Sequence, residues 1–95
     1  MIDSLPPGLS LVRVTNDFDI ETTPKGLRRA HRIATGVWGL LVVKAGSLLF
    51  VFEPNADGPG TSHRVKAGEH VVIPPQVLHH VEPDSDAVFC VEFHQ

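Results

Sequence analysis

Short stretches of apolar residues recur along the chain, and no stretch keeps a helical period for more than about ten residues. These stretches are rich in β-branched and aromatic residues, and turn-forming residues separate them at intervals of roughly eight to twelve positions. The stretches predicted as strands are residues 8–14, 36–43, 47–54, 63–65, 70–73, 78–83 and 87–94. The pattern therefore predicts an all-β sandwich or barrel.

The segments between these strands have the chemistry of tight turns. Gly46 and Gly68 each close a Lys-Ala-Gly sequence, which predicts a turn between consecutive strands, and residues 55–62 form a loop of turn-forming residues. Residues 24–31 have some helical propensity but are too few for more than one turn. A chain of 95 residues has room for one core, so we expect a single domain over residues 1–95.

Charge and cysteine content narrow the kinds of partner and setting. The net charge is −3, and Lys and Arg gather only in the segment KGLRR, which argues against a nucleic-acid partner. Cys90 is the only cysteine, which excludes an intramolecular disulfide and favours a reducing compartment. The N-terminal sequence lacks the features of a signal peptide, and no apolar stretch approaches the roughly 20 residues that span a bilayer. We therefore expect a cytoplasmic protein that binds neither nucleic acid nor membrane.

Histidine is the unusual residue of this chain, with six among 95 residues. Two of them, His79 and His80, are adjacent and follow the prolines Pro74 and Pro75. Gly68, Pro74 and His79 stand in the spacing G-x5-P-x4-H. The glycine turns the chain into a strand, the proline ends the strand pairing, and the loop delivers a histidine to the start of the next strand.

This spacing resembles the second sequence motif of the cupin superfamily, G-x5-P-x-G-x2-H-x3-N. Gln76 replaces the middle glycine of that motif, and Pro83 replaces its asparagine. The order of GVWG, the G-x5-P-x4-H segment and the closing VEF also resembles the small tellurite-resistance (TehB/YeaR-like) cupin domains over nearly the whole chain. The resemblance implies a small cupin-type barrel, a double-stranded β-helix or jelly roll, and a role in tellurite or oxyanion stress resistance.

The first cupin motif is incomplete in this sequence. Its usual H-x-H pair and downstream Glu would precede Gly46, but this region holds only His31, with Ile33 two residues on and Gly39 where a Glu would stand. The usual three-His, one-Glu site cannot be built from these positions, so a metal site would need ligands from elsewhere.

Strand parity suggests which residues would hold the metal. Successive side chains point to opposite faces of a sheet, so one of His79 and His80 faces the interior, and the cupin-like spacing selects His79. Glu92 lies in an otherwise apolar strand, where a buried carboxylate needs a partner such as a cation. We predict that His31, His79 and Glu92 bind one divalent metal ion, Zn, Fe or Mn, with positions open for water or substrate.

Several alternatives stay open at this point. Glu92 could instead form an ion pair with Arg28 or Arg29 across a sheet edge. The histidines that could complete the metal site in its place are His63, His80 and His94.

Two classes of function are consistent with these residues. The first is a metal-dependent protein that binds or acts on a small molecule, with a non-heme dioxygenase as one form of enzyme. The second is a non-catalytic ligand-binding or stress-response module without bound metal. We also expect a homodimer. Apolar residues occupy both faces of the strands at 36–43 and 47–52, and only one face can pack in the core of a single chain, so a second subunit would bury the other.

Overall fold

A computed structural model describes residues 4–56 and 58–95 of the chain. The elements in chain order are β1 (Leu11–Val14), a 3-10 helix (Lys25–Arg28), β2 (Trp38–Ala45), β3 (Ser47–Phe52), β4 (Thr61–Lys66), β5 (His70–Ile73), β6 (His79–Pro83) and β7 (Val88–His94). The predictions of an all-β fold and of a single helical turn before His31 are confirmed. Among the described residues, no helix has the length and apolar character needed to cross a lipid bilayer.

The strands pair antiparallel in two sheets. Sheet A has the strand order β1-β7-β2-β5, and sheet B has the order β4-β3-β6. Within residues 4–56 and 58–95, this pairing leaves two separate sheets and does not close them into one barrel. The observed architecture is therefore two antiparallel layers, and the closed cupin barrel expected from the resemblance is not what the hydrogen bonding shows.

The core lies between the two sheets and follows the two-residue period of the strands. In β2 and β7, alternate residues point inward, so that Leu41 and Phe89 are buried. Phe50 and Leu48 of β3 face them from sheet B, and both are 0% exposed. Ile33, from the loop before β2, joins the same cluster. Apolar burial on one face of each sheet thus fixes the strand register, since a shift of one residue would expose these side chains.

The β2–β3 turn contains a glycine that no other residue can replace without strain. Gly46 has φ +61°, and a Cβ at this position would lie 2.4 Å from the Asp86 carbonyl oxygen of the β6–β7 turn. The Gly46 carbonyl also accepts a hydrogen bond from the Ala67 amide at 3.0 Å. The turns between β2 and β3, β4 and β5, and β6 and β7 therefore pack together at one end of the molecule.

The loop that precedes β6 contains a residue with a left-handed backbone conformation. Gln76, which stands where the motif has glycine, has φ +63°, a conformation that glycine adopts most easily. Its backbone amide donates to the Ile33 carbonyl at 2.9 Å, and its side-chain amide donates to the Thr35 hydroxyl at 2.7 Å. These bonds tie the loop before β6 to the segment that carries His31.

Candidate metal and ligand site

A cavity of about 780 Å³ lies between the two sheets, beside the segment that contains the 3-10 helix. Both sheets contribute apolar side chains to its walls: Leu41, Phe50, Ile73, Val81, Val91 and Phe93. Its polar lining residues are Arg13, Thr15, His31, Arg32, His79 and Gln95. This size, and a mostly apolar wall with a few polar groups, are typical of a site for a small molecule.

His79 is the first residue of β6 and lies at the wall of this cavity. Its side chain is directed inward, and the residue is only 2% exposed. The imidazole stacks on the Phe50 ring, with centroids 5.3 Å apart and an interplanar angle of 15°. The strand parity and this stacking together hold the ring in one orientation.

His31 is brought to His79 by the backbone. The His31 amide donates to the His79 carbonyl at 2.9 Å, and the His79 amide donates to the His31 carbonyl at 3.0 Å. The two rings meet edge to face, with centroids 4.1 Å apart. An isolated antiparallel bridge therefore places two of the three predicted ligands side by side in the cavity wall.

Hydrogen bonds define which nitrogen of each ring is free. The Nδ1 of His31 is 2.9 Å from the Arg29 carbonyl oxygen, and the Nδ1 of His79 is 2.8 Å from the Val77 carbonyl oxygen. A carbonyl only accepts, so Nδ1–H donates in both rings, which leaves Nε2 as the nitrogen of each ring that can bind a ligand. This is the arrangement that orients histidines which bind a metal through Nε2.

Burial keeps His79 neutral at physiological pH. Loss of hydration lowers the pKa of His79 to about 4, and the nearby His31 acts in the same direction, whereas the hydrogen bond to Val77 opposes the shift. An uncharged imidazole is the form that coordinates a metal or accepts a hydrogen bond from a ligand.

Glu92, the third predicted ligand, lies elsewhere. It alternates in β7 with Val91 and Phe93, which line the cavity, so its side chain points to the opposite face of sheet A. There its carboxylate accepts a hydrogen bond from the His94 Nε2 at 2.9 Å. Over residues 4–56 and 58–95, no three His, Cys, Asp or Glu side chains converge to hold a metal ion. The structure therefore brings His31 and His79 together without Glu92.

His80 faces away from the cavity and has its own partners. Its Nδ1 bonds the Glu53 carboxylate, and its Nε2 is 2.7 Å from a Glu82 carboxylate oxygen. Burial lowers the pKa of His80, but the hydrogen bonds and charges of Glu82 and Glu53 outweigh this effect, so its pKa is raised. A histidine paired in this way has both nitrogens occupied.

The remaining histidine considered for the site also has other contacts. The His63 Nε2 lies 3.1 Å from the Thr61 hydroxyl, and the His63 ring packs edge to face on Phe52. Like His94, it is not among the residues that line the cavity.

Two arginines that the sequence analysis did not select lie at the cavity. Arg13 and Arg32 both line it, and the Arg13 guanidinium sits 4.8 Å from the centroid of the Phe93 ring. A register shift between Leu11 and Arg13 places Arg13 opposite Phe93. Simple alternation along β1 does not predict this position, so only the tertiary structure identifies the residue.

Comparison with known proteins supports the family suggested by the motifs. A family model described as the TehB-like domain matches residues 13–91. A crystal structure of a protein from E. coli strain K-12 superposes with a TM-score of 0.88 at 24% identity, covering 100% of this chain and 97% of that one. TehB from Haemophilus influenzae gives a TM-score of 0.80 at 25% identity, over 90% of this chain but only 31% of TehB. A search of curated proteins finds no significant match. Because the family model covers most of its length, this chain belongs to the TehB-like domain family.

Proposed function

We propose that this protein binds a small molecule in the cavity, at a divalent metal ion held by His31 and His79, as part of tellurite or oxyanion stress resistance. The observation that carries the proposal is the pair of neighbouring imidazoles whose Nδ1 atoms are tied to backbone carbonyls and whose rings line the cavity. Membership of the TehB-like family and the likeness to TehB support the link to tellurite.

The two imidazoles lie close to the separation that a shared metal ion would need. Imidazoles that bind zinc tetrahedrally at about 2.0–2.1 Å have ring centroids roughly 5 Å apart. The centroids of His31 and His79 are 4.1 Å apart, so the rings would separate by about 1 Å on binding. His31 is the ring that can move, because it is only partly buried while His79 is stacked on Phe50.

The chemistry of the site follows from its ligands. Two imidazoles suit Zn or Fe, whereas Mn prefers oxygen ligands, and a metal with so few protein ligands would supply a Lewis acid for a donor atom of the small molecule. Because Glu92 lies on the other face of sheet A, water or the small molecule would occupy the open positions. The surrounding apolar residues lower the local polarity, which strengthens polar contacts made inside the cavity.

Metal content of purified variants tests the metal site. We expect His79→Ala and His31→Ala each to weaken metal affinity by more than about tenfold, because removal of a ligand exceeds the usual effect of a supporting contact. His80→Ala is the matched control, since it removes a ring next in sequence that faces away from the cavity. Elemental analysis of untagged, folded protein measures the result. Equal loss from His80→Ala would contradict the assignment, and the metal found decides between redox-active iron and zinc.

A second candidate is a binding module that uses the two imidazoles without metal. This candidate is favoured because, among residues 4–56 and 58–95, no third metal ligand lies beside His31 and His79. In that case the neutral Nε2 atoms accept hydrogen bonds from the ligand. Wild-type protein that contains no stoichiometric metal after purification and after incubation with Zn, Fe and Mn would select this candidate.

We also propose that the protein is a homodimer formed through the outer face of sheet A. Trp38, Leu40 and Val42 of β2 point to this face and are only partly buried, and Leu11 and Val14 of β1 are 53% and 47% exposed. Exposed apolar side chains on the two strands that flank the Glu92–His94 pair of β7 are typical of an interface with a polar contact at its centre. Light scattering should give about twice the 10.3 kDa of one chain, and a mass near 10 kDa at micromolar concentration would contradict the proposal.

A further inference from the structure

The charged side chains that line the cavity are all basic, although the whole chain has a net charge of −3. Arg13 and Arg32 contribute the guanidinium groups that carry this charge. No Asp or Glu in the described part of the chain lines the cavity. The local charge is therefore opposite to that of the protein as a whole, and it favours an anion.

Neither of these arginines has an acidic partner among the residues that the structure describes. In residues 4–56 and 58–95, Arg64 pairs with Asp84 at 2.6 Å, whereas the side chains of Arg13 and Arg32 form no ion pair or hydrogen bond. The Arg13 guanidinium rests on the Phe93 ring instead. A cation–π contact positions the guanidinium but leaves its N–H donors available to a carboxylate.

The rest of the cavity favours an apolar group. Phe50, Ile73 and Val91 line it, and its volume of about 780 Å³ is much larger than an inorganic oxyanion requires. An oxyanion alone would leave this apolar surface without a contact, whereas a ligand with an apolar body would bury it.

We propose that the ligand is a small organic acid, with its carboxylate held by Arg13 and Arg32 and its apolar ring or chain directed toward Phe50 and His79. The inference rests on the proposed function, because it names the class of molecule that occupies the same cavity. The acid binds as the anion, and His79, which is neutral, contacts its body or a second donor atom.

A matched pair of ligands tests the charge requirement. Naphthalene-2-carboxylate and naphthalene-2-carboxamide have the same apolar body, and only the first carries a charge. By titration calorimetry at low ionic strength, we expect the carboxylate to bind at least about tenfold more tightly than the amide. Equal affinity, no binding of the carboxylate, or tighter binding of tellurite than of the carboxylate would each overturn the inference.

Variants of the two arginines locate the carboxylate. We expect Arg13→Gln and Arg32→Gln each to weaken binding of the carboxylate by about tenfold, and to change binding of the amide by less than about twofold. Arg29→Gln is the control, because it removes the same charge from an exposed side chain that does not line the cavity. An equal loss from Arg29→Gln would show only a long-range effect of charge and would contradict the proposed contact. These three arginines are exposed, so thermal unfolding of the variants should match that of the wild type.

The same titrations separate this inference from the metal proposal. They are run on protein treated with a chelator and on protein incubated with zinc. Selective binding of the carboxylate in both samples supports the arginine contact, whatever the metal content of the His79→Ala variant. If neither sample prefers the carboxylate over the amide, the proposed ligand class is wrong. The metal proposal is then still tested separately, by the metal content of His79→Ala.

Discussion

Acidification of the metal-free protein from about pH 6.5 to about pH 4 should remove about 3 kcal/mol of its free energy of unfolding through His79 alone. Burial lowers the pKa of His79 from 6.5 to about 4 in the folded chain, so between these values the unfolded chain binds the additional proton. The stabilisation is complete above pH 6.5 and is lost as the pH falls through the folded pKa. The residue is only 2% exposed, so solvent screens this effect little.

The variant His79→Phe isolates this contribution. Phenylalanine keeps an aromatic ring against Phe50 but cannot titrate, so urea unfolding should show a smaller loss of stability between pH 6.5 and pH 4 than in the wild type. The lost hydrogen bond to the Val77 carbonyl lowers the stability of the variant by a similar amount at every pH, which does not change the slope. Parallel curves for the two proteins would show that His79 is not buried as described.

His80→Gln is the matched control, because the neighbouring residue titrates in the opposite sense. The pKa of His80 is raised by Glu82 and Glu53 against the effect of burial, so its stabilisation is present below pH 6.5 and is lost as the pH rises through the folded pKa. His80→Gln should therefore keep the slope of the stability curve in acid, where it lowers stability by a constant amount, and change the slope only above pH 6.5.

Replacement of Gly46 by alanine should destabilise the protein by about 2–4 kcal/mol. The left-handed conformation at φ +61° costs an alanine roughly 1 kcal/mol, and the new Cβ would meet the Asp86 carbonyl oxygen at 2.4 Å. Overpacking of this kind adds about 1–3 kcal/mol, because the atom it meets belongs to the backbone and not to a flexible side chain. Chemical denaturation at neutral pH measures the difference.

Gly68→Ala separates the two causes. Gly68 also has a left-handed backbone, with φ +87°, but a Cβ there would have no atom within 4 Å. We expect Gly68→Ala to lower the free energy of unfolding by only about 1 kcal/mol, the conformational cost of the left-handed backbone. If both substitutions cost the same, the packing between the β2–β3 and β6–β7 turns would not be as tight as described.

Much of the fold could be predicted from the chain because strands leave a local signal. The two-residue period of β2 and β7 and the glycines at the turns marked the strands and their connections. The pairing of strands into two open sheets was less predictable, since it depends on contacts between residues far apart in the sequence.

The candidate site was predictable only in part. The position of His79 followed from a motif and from strand parity, both of which are local. The position of Glu92 could not be predicted in this way. β7 has apolar residues on both faces, and the sequence does not indicate which face meets the other sheet. Arg13 was missed because the register shift beside it changes the strand parity.

By itself, the sequence determined the all-β class, the turn at Gly46 and the delivery of His79 to the start of a strand, since each depends on residues close together in the chain. The tertiary structure decided what lies around that histidine. Hydrogen bonds between residues 31 and 79 bring the second imidazole to it, and packing of the two sheets turns Glu92 away. The physical reason is that burial, pKa and the charge of a cavity are set by neighbours in space, which the order of residues along one strand does not specify.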